Sequence, residues 1–360
     1  MTLFVATFVT ACASEENSAS DKKEVPQTQV TSVDPGIGFY DVSTSHLPLA
    51  VQATKDSIFR LVIINLSSDS NPTIKASDFA NTKTKLNNLR TKDFDQFDRA
   101  ILIAQIEACE KAKLPDCTIS TTNSRSTGFL AGSGTTLWTT AHSFKSQIEY
   151  FAQLENGETS ALATKKQNLG FLVFNSNHQL VYNSLTQPAS LKALPPTTSR
   201  AFYSRSFFAE DSDFIAIDLA VVLGRPLTVA KNLNYQTYGE KLFLMGYPAC
   251  TGCDGQQSGS ALDRSPKRNS DGVSLQVSSG ISYSLPMALD LFGITPATAR
   301  TFNLSNMVFY SADSHLGNSG GPVLNLQGEV VAIHGGNRVS SDLNYLKTTS
   351  RGVTPPQWRR

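Results

Sequence analysis

Charge is scarce in this chain of 360 residues, of which Lys, Arg, Asp and Glu make up only 17%, with a formal net charge of +1. A protein that binds nucleic acid needs an excess of basic residues to neutralise the phosphates, so we expect no nucleic-acid partner. Long apolar runs are missing as well. The amino-terminal one, residues 1–11, is too short to span a bilayer.

The amino terminus instead has the pattern of an export signal. The residues Val9-Thr10-Ala11-Cys12 resemble the lipobox at which bacterial lipoprotein precursors are cut before an acylated cysteine. No Lys or Arg precedes the apolar run, which departs from that pattern. Residues 1–12 are therefore predicted to be a lipoprotein-type signal and residues 13–50 a disordered linker. We expect an exported bacterial protein, either secreted or linked to the membrane only through lipid on Cys12.

The other four cysteines form two close pairs in sequence, as expected for an exported chain. We predict the disulfides Cys109–Cys117 and Cys250–Cys253. The alternative for the second pair is a redox or metal-binding CxxC motif. Neither a thioredoxin-like βαβ pattern nor a second pair of ligands accompanies it, and we expect no metal and no cofactor.

Abundant Gly, Ser and Thr with short apolar runs favour an antiparallel all-β protein, and the length allows a double β-barrel. The first strand is predicted at residues 58–64, and an early strand of the second barrel at 242–248. We therefore assign residues 51–225 to an N-terminal barrel and residues 226–360 to a C-terminal barrel, in a monomeric protein.

A helix is predicted inside the N-terminal barrel, within an insertion at about residues 70–120. Its apolar residues recur every three or four positions and describe one face of a helix that ends before Pro115. We expect the helix to pack on the outside of the barrel, pinned by the first disulfide. The residues of this face are Phe94, Phe97, Ile101, Ala104 and Ala108.

One serine, Ser319, lies among glycines in the stretch Gly317–Pro322 and is a candidate nucleophile. A serine hydroxyl needs a base to remove its proton and a carboxylate to orient that base. The base candidate is His142, at the tip of a predicted strand. The carboxylate candidate is Asp218, within an apolar run, although Asp213 in the acidic loop before that run could also reach the histidine.

These motifs resemble those of the trypsin-like (chymotrypsin-fold) serine peptidases, in the same order along the chain. They read Thr140-Ala141-His142, Asp218-Leu219-Ala220 and Gly317 to Pro322. The resemblance covers roughly residues 55–345. It implies two antiparallel barrels with the site between them, and a serine endopeptidase that cleaves proteins or peptides through an acyl-enzyme. It also implies an oxyanion hole formed by the N–H groups of Gly317 and Ser319.

Two rival interpretations concern the same serine. Gly317-x-Ser319-x-Gly321 also satisfies the nucleophile elbow of lipases and esterases, but a helix must follow an elbow. Residues 322–333 instead predict strand, turn, strand. The second rival is an inactive trypsin-like domain that serves as a surface binding module. Inactive members of the family usually lack a triad residue, whereas candidates for all three are present.

The substrate pocket is open to three interpretations. Asp313 precedes Ser319 by six residues, the spacing at which trypsin places the carboxylate that binds a basic side chain. Ser314 and His334 fall where bacterial glutamyl endopeptidases place donors for an acidic side chain, and residues 333–336 resemble the corresponding segment. Asp313 and His334 could also pair and leave a neutral pocket. We favour the acidic pocket, with Asp313 bracing the loop.

Asn318 departs from the aspartate that members activated by propeptide cleavage carry before the serine. An asparagine cannot form an ion pair with a newly formed amino terminus. We therefore expect a site that is competent without that kind of cleavage.

Overall fold

The computed structural model describes the parts of the chain from which the fold is built. No helix in these parts is long and apolar enough to cross a membrane. The described residues are 39–43, 47–64, 72–89, 96–120, 123–144, 170–187, 190–193, 213, 215–219, 221–231, 238–248, 274–291, 307–312, 314, 317–340 and 347–353.

Sixteen strands and four α-helices lie in these residues. The strands are β1 (Phe39–Asp41), β2 (Ile58–Ile64), β3 (Thr73–Lys75), β4 (Asp116–Thr118), β5 (Asn123–Leu130), β6 (Thr136–Thr139), β7 (Gly170–Phe174), β8 (Leu180–Asn183), β9 (Ser190–Ala193), β10 (Ile215–Asp218), β11 (Lys241–Gly246), β12 (Gln276–Tyr283), β13 (Met307–Tyr310), β14 (Pro322–Leu324), β15 (Val330–Ser340) and β16 (Lys347–Val353). The helices are α1 (Leu49–Gln52), α2 (Phe79–Asn88), α3 (Gln96–Lys111) and α4 (Leu285–Leu291).

The first sheet has seven antiparallel strands in the order β8-β7-β2-β5-β6-β10-β9. Strand β2, which lies between β7 and β5, is apolar at six of seven positions because both of its faces are covered. Phe59, Leu61 and Ile63 point into the barrel core. Val62 and Ile64 point to the other face, where they pack against helix α3.

The second sheet also has seven strands, in the order β1-β12-β11-β14-β15-β16-β13, and the added pairing of β12 with β13 closes it. The two curled sheets confirm the predicted double β-barrel architecture. The hairpin of β14 and β15 after Ser319 is likewise confirmed, which excludes the helix of a nucleophile elbow.

The predicted linker over residues 13–50 requires a correction at its C-terminal end. Strand β1 pairs with β12 at the edge of the second sheet, and Val42 and Leu47 contribute to the apolar core. Residues 39–43 and 47–50 are therefore folded, because the strand pairing and the buried side chains of Val42 and Leu47 tie them to the second sheet and the core.

The predicted helix in the insertion is confirmed as α3. Phe97, Ile101 and Ala104 are buried against the first sheet, and Cys109 and Cys117 form the predicted disulfide. The insertion also contains α2 and the β3–β4 pair, which pack around that disulfide in a small apolar cluster of their own. Phe94, Cys12 and the predicted Cys250–Cys253 pair lie outside the described residues.

The chain passes from the first sheet to the second at residues 227–230. Leu227 donates its N–H to the carbonyl of Leu130 in β5, and Ala230 donates to that of Val330 in β15. One apolar cluster contains residues of both sheets, among them Phe129 and Met245. The two barrel-like halves therefore share a core, and the candidate site residues lie along this seam.

Candidate active site

His142 lies just beyond the end of β6, where it begins a short 3-10 turn, His142–Phe144. Its neighbours Ala141 and Phe144 are buried in the core of the first sheet and anchor the turn. The His142 side chain is 41% exposed. The buried neighbours thus fix the position of the turn, while the imidazole itself is partly exposed to solvent.

The carboxylate that orients this imidazole belongs to Asp213. Its Oδ2 lies 2.7 Å from His142 Nδ1, and its Oδ1 accepts the backbone N–H of the same residue at 3.0 Å. Asp213 is fully buried. An ionised carboxylate only accepts hydrogen bonds, so Nδ1 carries the proton and, in a neutral imidazole, Nε2 is the nitrogen that can accept one.

The prediction that Asp218 orients His142 is corrected by this geometry. Strands β10 and β6 run antiparallel, with Ile215 opposite Thr139 and Asp218 opposite Thr136. The start of β10 therefore lies beside the end of β6, and Asp218 lies five residues, roughly 16 Å of extended chain, beyond Asp213. Asp218 instead interacts with Tyr182, whose pKa is raised to about 12, mainly by burial and then by the Asp218 charge.

The candidate nucleophile lies in a β-turn. The N–H of Gly321 donates to the carbonyl of Asn318 at 2.9 Å, and Gly320, the third residue of the turn, has φ +85°. A type II turn requires that positive φ, which favours glycine. Because a trans peptide directs its C=O and N–H oppositely, the Ser319 N–H points away from Gly321. The turn therefore leaves that N–H available to an incoming oxyanion.

Strand β5 of the first sheet holds this turn of the second sheet. The carbonyl of Ser319 accepts two hydrogen bonds, from the N–H of Thr127 at 2.8 Å and from the hydroxyl of Ser126 at 2.6 Å. The Thr127 hydroxyl donates to the carbonyl of Gly317 at 2.7 Å. Adjacent residues of one strand thus fix the backbone on both sides of Asn318.

A row of hydroxyl groups connects residues 317–321, the serine turn, with His142–Phe144, the histidine turn. Since the Ser126 hydroxyl donates its single proton to Ser319, it accepts from Ser143 Oγ at 2.9 Å. Ser143 in turn accepts from Thr140 Oγ1 at 2.8 Å. Ser143 follows His142 directly, so the row brings the two turns together. Among described residues, no hydrogen bond joins Ser319 Oγ to His142.

Asn318, between the two carbonyls that β5 holds, is fully buried. Neither amide atom of its side chain has a hydrogen-bond partner within the described parts of the chain. A neutral amide without partners costs about 1–3 kcal/mol on burial, and an unpaired carboxylate would cost more. The site therefore suits asparagine better than the aspartate of cleavage-activated relatives.

Of the predicted pocket residues, His334 forms backbone hydrogen bonds with the serine turn. Its carbonyl accepts the N–H of Gly320, and its own N–H donates to Gly321, each at 2.8 Å. The buried His334 imidazole pairs through Nδ1 with the Tyr310 hydroxyl at 2.6 Å. Ser314 is also buried, while Asp313 lies outside the described residues.

A family model described as "Trypsin-like peptidase domain" matches residues 126–333, the segment that contains His142, Asp213 and Ser319. No curated protein matches the chain.

Several solved structures are similar to the chain at low identity. The active form of the Rv3671c protease from M. tuberculosis is 12% identical, with a TM-score of 0.40, and the match covers 85% of this chain and 79% of that one. Its inactive form is 13% identical, with a TM-score of 0.38 and coverages of 85% and 87%. An HtrA-type protease with a decapeptide is 12% identical, with a TM-score of 0.41 and coverages of 84% and 61%.

Replacing Gly320 by alanine is expected to disrupt the serine turn. The new Cβ would meet Thr139 Oγ1 and the carbonyl oxygen of Thr127, in addition to the strain of φ +85°. We expect the free energy of unfolding to fall by more than about 4 kcal/mol. Urea denaturation of Gly320→Ala beside Gly132→Ala measures the difference. Gly132 also has positive φ, but nothing lies near its Cβ position, so strain alone should cost about 1–2 kcal/mol. Equal losses in the two variants would contradict the steric argument.

Proposed function

Because the chain belongs to the trypsin-like peptidase domain family, we propose that it is a serine endopeptidase that uses Ser319, His142 and Asp213. The observation that carries this proposal is the buried Asp213 carboxylate on His142 Nδ1, at 2.7 Å. Such a pair makes Nε2 a base, and the hydroxyl row through Ser126 and Ser143, which connects the two turns, supports the pairing of that base with Ser319.

In the proposed reaction, Ser319 Oγ forms a bond to the scissile carbonyl carbon while its proton passes to His142 Nε2. Asp213 keeps Nδ1 protonated and stabilises the imidazolium. The oxyanion is received by the N–H groups of Ser319 and Gly317. The imidazolium then protonates the leaving amine as the C–N bond breaks. Water, activated by the same base, hydrolyses the acyl-enzyme and restores the serine.

We further propose that this site needs no newly formed amino terminus. In relatives activated in that way, an aspartate before the serine forms the ion pair. Asn318 is neutral and fully buried, and φ at Gly317 is already +96°, a backbone conformation that a side chain would disfavour.

For the substrate side chain we propose an acidic residue. Tyr310 can donate its hydroxyl proton to His334 Nδ1, which leaves Nε2 as the protonated nitrogen, a donor suited to a carboxylate. Ser314 adds a hydroxyl donor. The backbone bonds of His334 to Gly320 and Gly321 support a position beside the nucleophile.

For location we propose export with lipid on Cys12, on the strength of the lipobox-like residues Val9–Cys12. A lipid chain inserted in a membrane would tether the peptidase there, and residues 13–38 would form the spacer.

The catalytic proposal predicts that a fluorophosphonate probe labels the wild-type protein but not Ser319→Ala. Asp213→Asn should lower kcat by about 10⁴-fold, because the amide no longer enforces the productive tautomer. Asp218→Asn is the matched control and should keep most of the activity.

Two outcomes would contradict this prediction. A folded wild-type protein without Ser319-dependent labelling would support the inactive binding module instead. A larger loss in Asp218→Asn than in Asp213→Asn would return the orienting role to Asp218.

The pocket proposal predicts an acidic preference in a peptide-library cleavage profile. His334→Ala should remove that preference, because the donor for the carboxylate is lost, whereas Asp313→Ala should retain it. A preference for Arg or Lys that disappears in Asp313→Ala would reverse the assignment.

The lipid proposal predicts that the full chain, expressed in bacteria, incorporates radiolabelled palmitate and fractionates with membranes. Cys12→Ser should lose both, because the acylated thiol is absent, while Cys109→Ser should still be labelled. Unlabelled wild-type protein would refute lipidation.

A further inference from the structure

Thr127 lies in β5 at the point where this strand bonds to the serine turn. The register of β5 with β6 includes Phe129 opposite Trp138 and Leu130 opposite Leu137. Beyond these pairs, the N–H of Thr127 donates to the Ser319 carbonyl. The serine turn thus takes the place of β6 as the hydrogen-bonding neighbour of β5 at Thr127.

The Thr127 side chain makes two more hydrogen bonds from a fully buried position. Its hydroxyl donates to the Gly317 carbonyl at 2.7 Å and accepts the N–H of Tyr247 at 3.0 Å. Tyr247 follows β11 directly. One hydroxyl therefore joins three segments: β5, the serine turn and the end of β11.

These bonds restrict the backbone on both sides of the nucleophile. With the carbonyls of Gly317 and Ser319 both held by Thr127, the intervening peptides cannot rotate independently. The planar peptide also directs the Asn318 N–H away from Thr127. The direction of the Gly317 N–H then depends mainly on its φ, which is +96°.

We propose that the Thr127 hydroxyl is a positioning group for the oxyanion hole, holding Gly317 so that its N–H and that of Ser319 converge. This inference rests on the proposed peptidase function. The Gly317 N–H belongs to the preceding peptide, so its direction relative to the held carbonyl depends on ψ and φ of Gly317. Without the hydroxyl, the Gly317 carbonyl loses its partner, and rotation about ψ can displace that N–H relative to the N–H of Ser319. A misdirected N–H weakens stabilisation of the transition state more than binding of the substrate.

The test compares Thr127→Val, which keeps the shape but lacks the hydroxyl, with Thr127→Ser, which keeps the hydroxyl. Rates on a peptide that the wild type cleaves are expressed per active site, titrated with a fluorophosphonate. We expect kcat to fall about 10- to 100-fold in Thr127→Val, part of the loss of a whole oxyanion donor. KM should stay within about twofold, and Thr127→Ser should restore kcat to within about threefold. The affinity for a peptide aldehyde, which forms a tetrahedral adduct, should fall in parallel with kcat.

Thr54→Val is the matched control. The Thr54 hydroxyl is also buried and donates to a backbone carbonyl at 2.7 Å, that of Val51, but Thr54 lies outside the site. It should lose stability with kcat per active site unchanged. If Thr127→Val does not fold, Thr127→Cys replaces it, because a thiol fills the space but donates weakly.

Three results decide the matter. An unchanged kcat per active site in Thr127→Val, with wild-type activity dependent on Ser319, overturns the positioning role and leaves the proposed function intact. A failure of Thr127→Ser to restore kcat also overturns it, since the hydroxyl would not be the group that matters. A wild-type protein with no Ser319-dependent turnover overturns both proposals.

Discussion

The hydrogen bonds from β5 to the serine turn are the constraint on which the site depends, because its histidine and serine come from different sheets. Thr127 and Ser126 together give three bonds to the carbonyls of Gly317 and Ser319. Through Ser143, the same strand reaches the residue that follows His142. Any shift of one barrel against the other would have to break these bonds, which lie in a largely buried region where unmade hydrogen bonds are costly.

The second constraint is electrostatic. A buried carboxylate such as that of Asp213 is tolerable only where donors surround it, and His142 supplies two, its ring N–H and its backbone N–H. The Asp213–His142 pair therefore both stabilises the histidine turn and sets the tautomer of the imidazole. The carboxylate contacts the imidazole on its Nδ1 side, and the side chain as a whole is 41% exposed.

The insertion meets a different physical need. The outer face of β2 carries apolar residues that would otherwise face water, and α3 covers them with Phe97, Ile101 and Ala104. The Cys109–Cys117 disulfide closes the insertion over a short loop, where a small cluster alone gives little burial. This part of the molecule packs beside β2 and β7.

Much of this protein could be read from local sequence. Apolar runs bounded by turn residues mark β2 and the β14–β15 hairpin, and a spacing of three and four marks α3, because each pattern is the direct result of backbone geometry. Tertiary structure alone decided which aspartate meets His142. Asp213 precedes strand β10 and Asp218 ends it, and the antiparallel register of β10 with β6 brings the start of that strand, and not its end, to the histidine. Tertiary structure also decided that Ser126 and Thr127, among many similar residues, hold the serine turn. A hydroxyl acquires such a role only when folding places a carbonyl from a distant part of the chain beside it.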